Sequence, residues 1–341
     1  MSDPVVPDPA PDPAPGAPAA DPLTQLLAAR DWLLADGATG TTLHAMGLGA
    51  VDAPELLNAS APASVRALYE SAIEAGSDVF LTNSFGGNAA RLRLHDAGRR
   101  VRTLNRAAAR LAREAADRAG RPVVVAGSIG PTGAIVEPGG DLAPALAAEM
   151  FAEQAAALVE GGADILWLET ISGPDELHAA ASAVAATGRP WCCTMSFEAG
   201  GRTMGGLTPA GFVELVAALP VPPLAIGANC GVGAADLVGV VLALAAAAPG
   251  LPIIAKANAG VPKRIAGGVA YDGTPELMAD YARLARDAGA RIIGGCCGTT
   301  PLHIAAMRAA LAGTARGPAP TPAAIAARLG PFTEIPPDIP A

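Results

Sequence analysis

The sequence is poor in aromatic residues, with Phe, Tyr and Trp together making up 4% of 341 positions. Stacking platforms for bases are therefore scarce. A net charge of −9 also lacks the basic face that displaces counterions from phosphates, so no nucleic-acid partner is expected. Charged residues are few as well, at 16% against 51% hydrophobic, the composition of a body packed by aliphatic side chains. Five cysteines are too few, and odd in number, for a disulfide-stapled secreted framework in a chain this long. The start of the chain has neither the basic segment nor the apolar core of a signal peptide. An uninterrupted membrane span is missing too. Residues 237–255 carry no charge across 19 positions, but Pro249, Gly250 and Pro252 break the run. About 12 helical residues remain, too few for a hydrocarbon core of roughly 30 Å. No membrane association and a cytoplasmic location are expected.

What is present is a regular alternation. Short apolar runs occur at residues 32–36, 78–82, 122–127, 164–169, 191–196, 224–229, 252–256 and 291–295. Each is four to six residues long and almost continuously apolar, as in parallel strands buried on both faces. Alanine-rich helical stretches separate them, at 61–75, 101–120, 143–161 and 275–289 among others, and several end in a capping glycine (EAGSD, EGGAD, DAGAR). Eight such units over some 280 residues predict a single-domain α/β fold, a (β/α)8 TIM barrel. An open doubly wound sheet is the alternative, but no G-x-G-x-x-G follows the first run. Eight prolines within the first 22 residues predict a disordered Pro/Ala-rich arm over 1–30. The barrel is assigned to 31–312. A Pro-rich C-terminal extension with one short helical piece near 322–329 follows over 313–341, and is a candidate homo-oligomer arm.

In a barrel of this kind the chemistry lies at the C-terminal ends of the strands. The polar and glycine-rich segments fall there: Asp36-Gly37 after the first run, TNSFGGN (82–88) after the second, GSIGPTG (127–133) after the third and Glu169-Thr170 after the fourth. Asn229-Cys230-Gly231 follows the sixth, KANAG (256–260) the seventh and GGCCGTTP (294–301) the eighth. Cys230, Cys296 and Cys297 can therefore converge at one mouth. Three thiolates held tetrahedrally, with one exchangeable position, make a reactive zinc site, one Zn2+ per chain. Cys192 and Cys193, inside the fifth run, read as strand packing, and His303 belongs to the helix after the cysteine pair.

Taken together, DGATGTT, GSIGPTG, GANCGVG and GGCCGTTPLHI resemble the zinc-dependent homocysteine S-methyltransferases, over about residues 31–312. The resemblance implies a (β/α)8 barrel with one zinc on Cys230, Cys296 and Cys297, homocysteine as methyl acceptor and methionine as product. It also implies that Glu169 receives the amino-acid ammonium and that Asp36 is the family's aspartate after the first strand, with the Gly37 backbone beside it, while the segment containing Gly127 and Ser128 offers donors to the carboxylate. Asn258 matches a family asparagine that can approach the metal, a candidate fourth ligand without substrate. The tyrosine that serves in the vertebrate betaine enzyme has no counterpart in TNSFGGN. With no room for built-in folate and corrinoid domains, the expected donor is glycine betaine or a related onium compound. S-methylmethionine and a methylcorrinoid on a separate partner protein are the alternatives. Of the few aromatics, Phe85, Phe197 and Tyr271 fall where a cationic donor could meet them.

Overall fold

The computed structural model describes residues 21–45, 53–171, 173–265 and 268–334. Its centre is a parallel sheet of eight strands: β1 (Leu33–Leu34), β2 (Val79–Leu81), β3 (Val124–Ile129), β4 (Ile165–Ile171), β5 (Trp191–Met195), β6 (Ala225–Cys230), β7 (Ile253–Ala257) and β10 (Ala290–Gly295). Neighbours in sequence are neighbours in the sheet, β10 pairs with both β7 and β1, and a parallel bridge between Ala35 and Val79 closes β1 onto β2. The predicted (β/α)8 barrel is therefore the fold. The runs at 32–36 and 78–82 contain shorter strands than their apolar length suggests, because their ends turn into the loops of the mouth.

The helices form where alanine, leucine and good formers recur without interruption. Pro62–Glu74, Val101–Asp117, Pro144–Glu160 and Pro275–Ala288 match the expected stretches. Gly76, Gly162 and Gly289 follow three of them with φ of 108°, 101° and 122°, a conformation that costs glycine little. The uncharged stretch after 236 is a helix (Ala234–Ala247) followed by β7, and no helix among the described residues is long and apolar enough to cross a membrane.

Inside the ring, Leu33, Val79, Val124, Ile165, Cys192, Ile254 and Ile292 form an aliphatic layer, and Cys193 points the other way into the helix layer. Both strand cysteines are buried packing residues, as expected. The expected N-terminal arm needs correction: residues 1–20 lie outside the described residues, but Pro22–Ala29 is a helix. Asp21 caps it by accepting from Thr24 N at 3.0 Å, and Leu23 and Leu26 close the base of the barrel. Each buried leucine contributes about 1.5–3 kcal/mol, enough to order a segment whose proline content suggested otherwise.

Asp78, fully buried at the same end, takes hydrogen bonds from Arg30 (2.6 Å), Arg308 (2.8 Å), Arg121 (3.4 Å) and Leu34 N (3.0 Å). It ties the N-terminal helix, the chain before β3 and the last barrel helix (Pro301–Leu311) to one point. The C-terminal helix Pro322–Leu329 forms as expected, and its Ile325 is buried on the barrel. Unforeseen is an antiparallel hairpin in the loop after β7, β8 (Lys263–Ile265) and β9 (Gly268–Ala270).

Candidate active site and metal centre

The three cysteines expected at the mouth meet there: the Sγ atoms of Cys230, Cys296 and Cys297 lie within 4.8 Å of one another, with Cys230 and Cys297 3.9 Å apart. Zn–S bonds of about 2.3 Å in a tetrahedron put sulfurs about 3.8 Å apart, so the donor set and its spacing fit one zinc ion. Cys230 reaches the cluster through a turn at the end of β6, where it has φ of 61° and Gly231 has φ of 69°. A side chain at Gly231 would run into the Phe197 carbonyl at 2.4 Å, so the turn requires glycine. A left-handed cysteine costs of order 1–3 kcal/mol, a strain that points to function.

Asn258, the candidate fourth ligand without substrate, engages backbone groups in this structure. Its amide donates to Gly231 O (2.8 Å) and accepts from Cys297 N (3.1 Å), stapling the Cys230 loop to the Cys296-Cys297 loop. Tyr271, just beyond β9, packs against the bare backbone of Gly298, where a side chain would meet its Cβ at 2.3 Å. Crowding couples the thiols. The neighbouring thiols hold Cys297 below the usual thiol range and push Cys230 up. His303 lies apart from the cluster, capping its own helix through Thr300 and meeting Gly273 O with its other ring nitrogen at 2.8 Å.

Below the sulfurs lies a floor of charge. Asp36 receives Leu81 N at 2.8 Å and Lys256 Nζ at 2.5 Å; Glu169 receives the Ser128 hydroxyl. Burial raises both carboxyl pKa values, against the opposing pull of Lys256, and Glu169 reaches about 7. Burial disfavours the Lys256 ammonium, but Asp36 and Glu169 outweigh it and the pKa is raised. Lys256 also lies 5.7 Å over the Trp167 ring. Nothing in the sequence reading singled it out, although a lysine inside an otherwise apolar strand was the available signal. Asn229, also unassigned, holds Thr170 at φ 58° by accepting from its N (3.0 Å) and donating to its hydroxyl (2.7 Å).

Of these groups Ser128, Glu169, Thr170 and Lys256, with Gly37 and the three cysteines, line one cavity of about 510 Å³; Asp36 and Asn229 are not part of that lining. Gly127 is not brought to it. Its missing side chain faces Leu166 and Leu158, so it is a packing glycine under the helix layer. Of the aromatics, Phe85 lines the cavity, while Phe197 is buried against Phe212.

A barrel whose mouth brings three thiols this close together above a buried carboxylate and lysine carries a donor set that could hold a metal ion. The homocysteine S-methyltransferase family model matches residues 33–311, and the chain belongs to that family. It is 33% identical over 304 residues to the methionine synthase of Mycobacterium tuberculosis and 32% identical over 300 residues to that of Mycobacterium leprae, covering 83% and 82% of this chain. The chain spans only about a quarter of those relatives, 25% and 24% of their lengths. Among solved structures, the metallated form of the homocysteine methyltransferase MmuM from Escherichia coli aligns with a TM-score of 0.72 at 26% identity, covering 85% of this chain and 99% of that one.

Proposed function

We propose that the protein transfers a methyl group from a small onium donor, such as glycine betaine, to the thiol of homocysteine, giving methionine, with one zinc ion held by Cys230, Cys296 and Cys297. The observation that carries this reading is the spacing of the three sulfurs above a floor suited to an amino acid. Zinc bound there would supply thiol activation, so that the substrate sulfur reacts as a thiolate. The remaining work falls to the protein. Asp36 and Glu169 against Lys256 leave one formal negative charge, which attracts the substrate ammonium and is itself restored to the ionised state by it. Gly37 and Ser128 face the same end of the substrate. Holding sulfur and methyl carbon in line supplies much of the acceleration. The S–CH3 bond forms as the onium–CH3 bond breaks, its electron pair stays on the departing nitrogen or sulfur, and the thiol proton leaves to solvent as homocysteine binds. A reducing cytoplasm suits this site, since adjacent thiols in an open mouth oxidise readily.

A methylcorrinoid on a separate partner is the second reading. It is favoured by the methionine synthase relatives and by exposed apolar side chains on the mouth loops, among them Met204, Ile135 and Val261. The test supplies zinc-loaded protein and homocysteine with glycine betaine, S-methylmethionine or methylcobalamin in turn, and measures methionine. Product from an onium donor is the expected result. Product only with a methylated corrinoid would replace the first reading by the second, and no product with any donor would overturn both.

A further inference from the structure

The strand that carries Glu169 breaks its own alternation. Ile165 and Trp167 face the barrel interior, and Leu166 and Leu168 face the helix layer, so an unbroken strand would turn both Glu169 and Ile171 inward. Ile171 packs in the helix layer instead. Between Leu168 and Ile171, β4 carries one residue more than β5, where Cys193 and Met195 are their partners. The extra residue makes a bulge, of the kind that re-aims a side chain beside a site. It lets Glu169 line the cavity while the apolar residue at 171 returns to the core. The bulge has Thr170 at φ 58°, an unfavourable conformation for a β-branched residue.

Asn229 offsets that strain. It is buried on β6 and reaches Thr170 past the end of β5, which lies between β4 and β6 in the sheet. Its carbonyl oxygen accepts from Thr170 N and its amide donates to the Thr170 hydroxyl, so both arms of the side chain engage one neighbour. The same amide nitrogen lies 3.9 Å from Cys296 Sγ, and the next residue along the chain is Cys230. One side chain therefore touches the backbone that aims Glu169 and one of the three sulfurs. From the other side, the Ser128 hydroxyl donates to the Glu169 carboxylate. Ser128 is itself fixed by two hydroxyls, its N donating to Thr82 Oγ1 (2.9 Å) and its O accepting from Ser84 Oγ (2.7 Å). Carboxylate and sulfurs are two ends of one frame, and Asn229 spans it.

We infer that Asn229 is a positioning residue that sets the span from the Glu169 carboxylate to the sulfur triangle and thereby selects the length of the thiol acceptor. This rests on the reading in which homocysteine is methylated at a metal held by the three cysteines. Homocysteine has two methylenes between its thiol and the carbon that carries the ammonium. With the ammonium on Glu169 and the sulfur on the metal, a fixed span satisfies both ends at one length. Cysteine is one methylene shorter, so its sulfur stops short of the metal or its ammonium stops short of the carboxylate. Asn229 is outside the cavity lining and acts only through Thr170 and Glu169.

The experiment uses the zinc-loaded full chain and measures binding of homocysteine and of cysteine by calorimetry, with metal analysis and methionine formation alongside. Wild type should prefer homocysteine by about 10–200-fold, the range that one methylene supplies. In Asn229→Ala the bulge relaxes, so homocysteine should bind about 10–100-fold more weakly while cysteine changes by less than about threefold. Zinc should stay at one per chain, and the KM for homocysteine should rise by more than kcat falls. Glycine takes positive φ without support, so Asn229→Ala/Thr170→Gly should recover part of the lost preference. Thr170→Val loses only the hydroxyl partner; it should show a smaller drop, and it carries the test if Asn229→Ala does not fold. A preference within about twofold of wild type in the folded variants, the scatter of uncoupled sites, would overturn the inference. Loss of zinc from Asn229→Ala, or no recovery with glycine, would overturn it too, because Asn229 would then act at the sulfurs and not through Glu169. Wild-type protein that holds zinc but binds neither amino acid would sink the homocysteine reading itself, and the inference with it.

Discussion

The two ends of the barrel are made by the same eight strands and treat charge in opposite ways. At the base, Asp78 is surrounded by three guanidiniums and a backbone N–H, and two leucines close the opening. Every contact there is made within the chain. At the mouth, Cys230 and Thr170 are held in the left-handed region, Glu169 is desolvated to a pKa of about 7, and three thiols crowd together. That end opens into the cavity. Stability is concentrated at one end and reactivity at the other, as expected where loops at the C-terminal face carry the chemistry.

The comparison can be tested by removing groups from each end. The largest expected effect is at the sulfurs. Cys230→Ala, Cys296→Ala or Cys297→Ala should each lower zinc content below one per chain and methyl transfer by about a thousandfold or more, with little change in thermal midpoint. Full zinc retention, measured by metal analysis, would remove that cysteine from the ligand set. Next comes the base, where Asp78→Asn should cost about 2–4 kcal/mol in urea unfolding and leave the KM for homocysteine unchanged. An altered KM would break the division between the ends. Lys256→Met should do the converse. With two carboxylates left facing each other, homocysteine KM rises about 10–100-fold while kcat changes less, and Lys256→Arg restores only part of the loss. A loss confined to kcat would contradict a binding role. Smallest is the effect of pH. The Glu169 carboxyl is protonated below about pH 7 and so cannot pair with the substrate ammonium there. Homocysteine affinity should fall by up to about tenfold per unit as pH drops below that value. Calorimetry of Glu169→Gln should show weaker binding with a flatter pH dependence. The sign for folding is opposite: a carboxyl raised from 4.5 makes the native state progressively less stable as pH rises from 4.5 to about 7, with no further change above.

The barrel was legible because each strand is a short apolar run between capped helices, and the phosphate loop that would favour an open doubly wound sheet is missing after the first run. The cysteine cluster was legible for a related reason: strand ends converge, so residues far apart in sequence share one mouth. What escaped the sequence depends on direction and pairing. Gly127 and Ser128 are adjacent, yet strand alternation sends one to the helix layer and the other to the cavity. Lys256 belongs to a run read as core, and only its two carboxylate partners explain why an ammonium can stay there. Pro22–Ala29 lies next to a proline-rich arm whose composition masks two leucines at helical spacing. The cavity wall at Glu55 and Arg91 joins chain segments that no motif connects.

Asn258 gives the mouth one more property. Because it ties the two cysteine loops through backbone groups, segments far apart in sequence keep their relative position through one side chain. Losing that amide would let the loops part while the eight strands and their helices stay packed, so the mouth can fail in a barrel that is still folded.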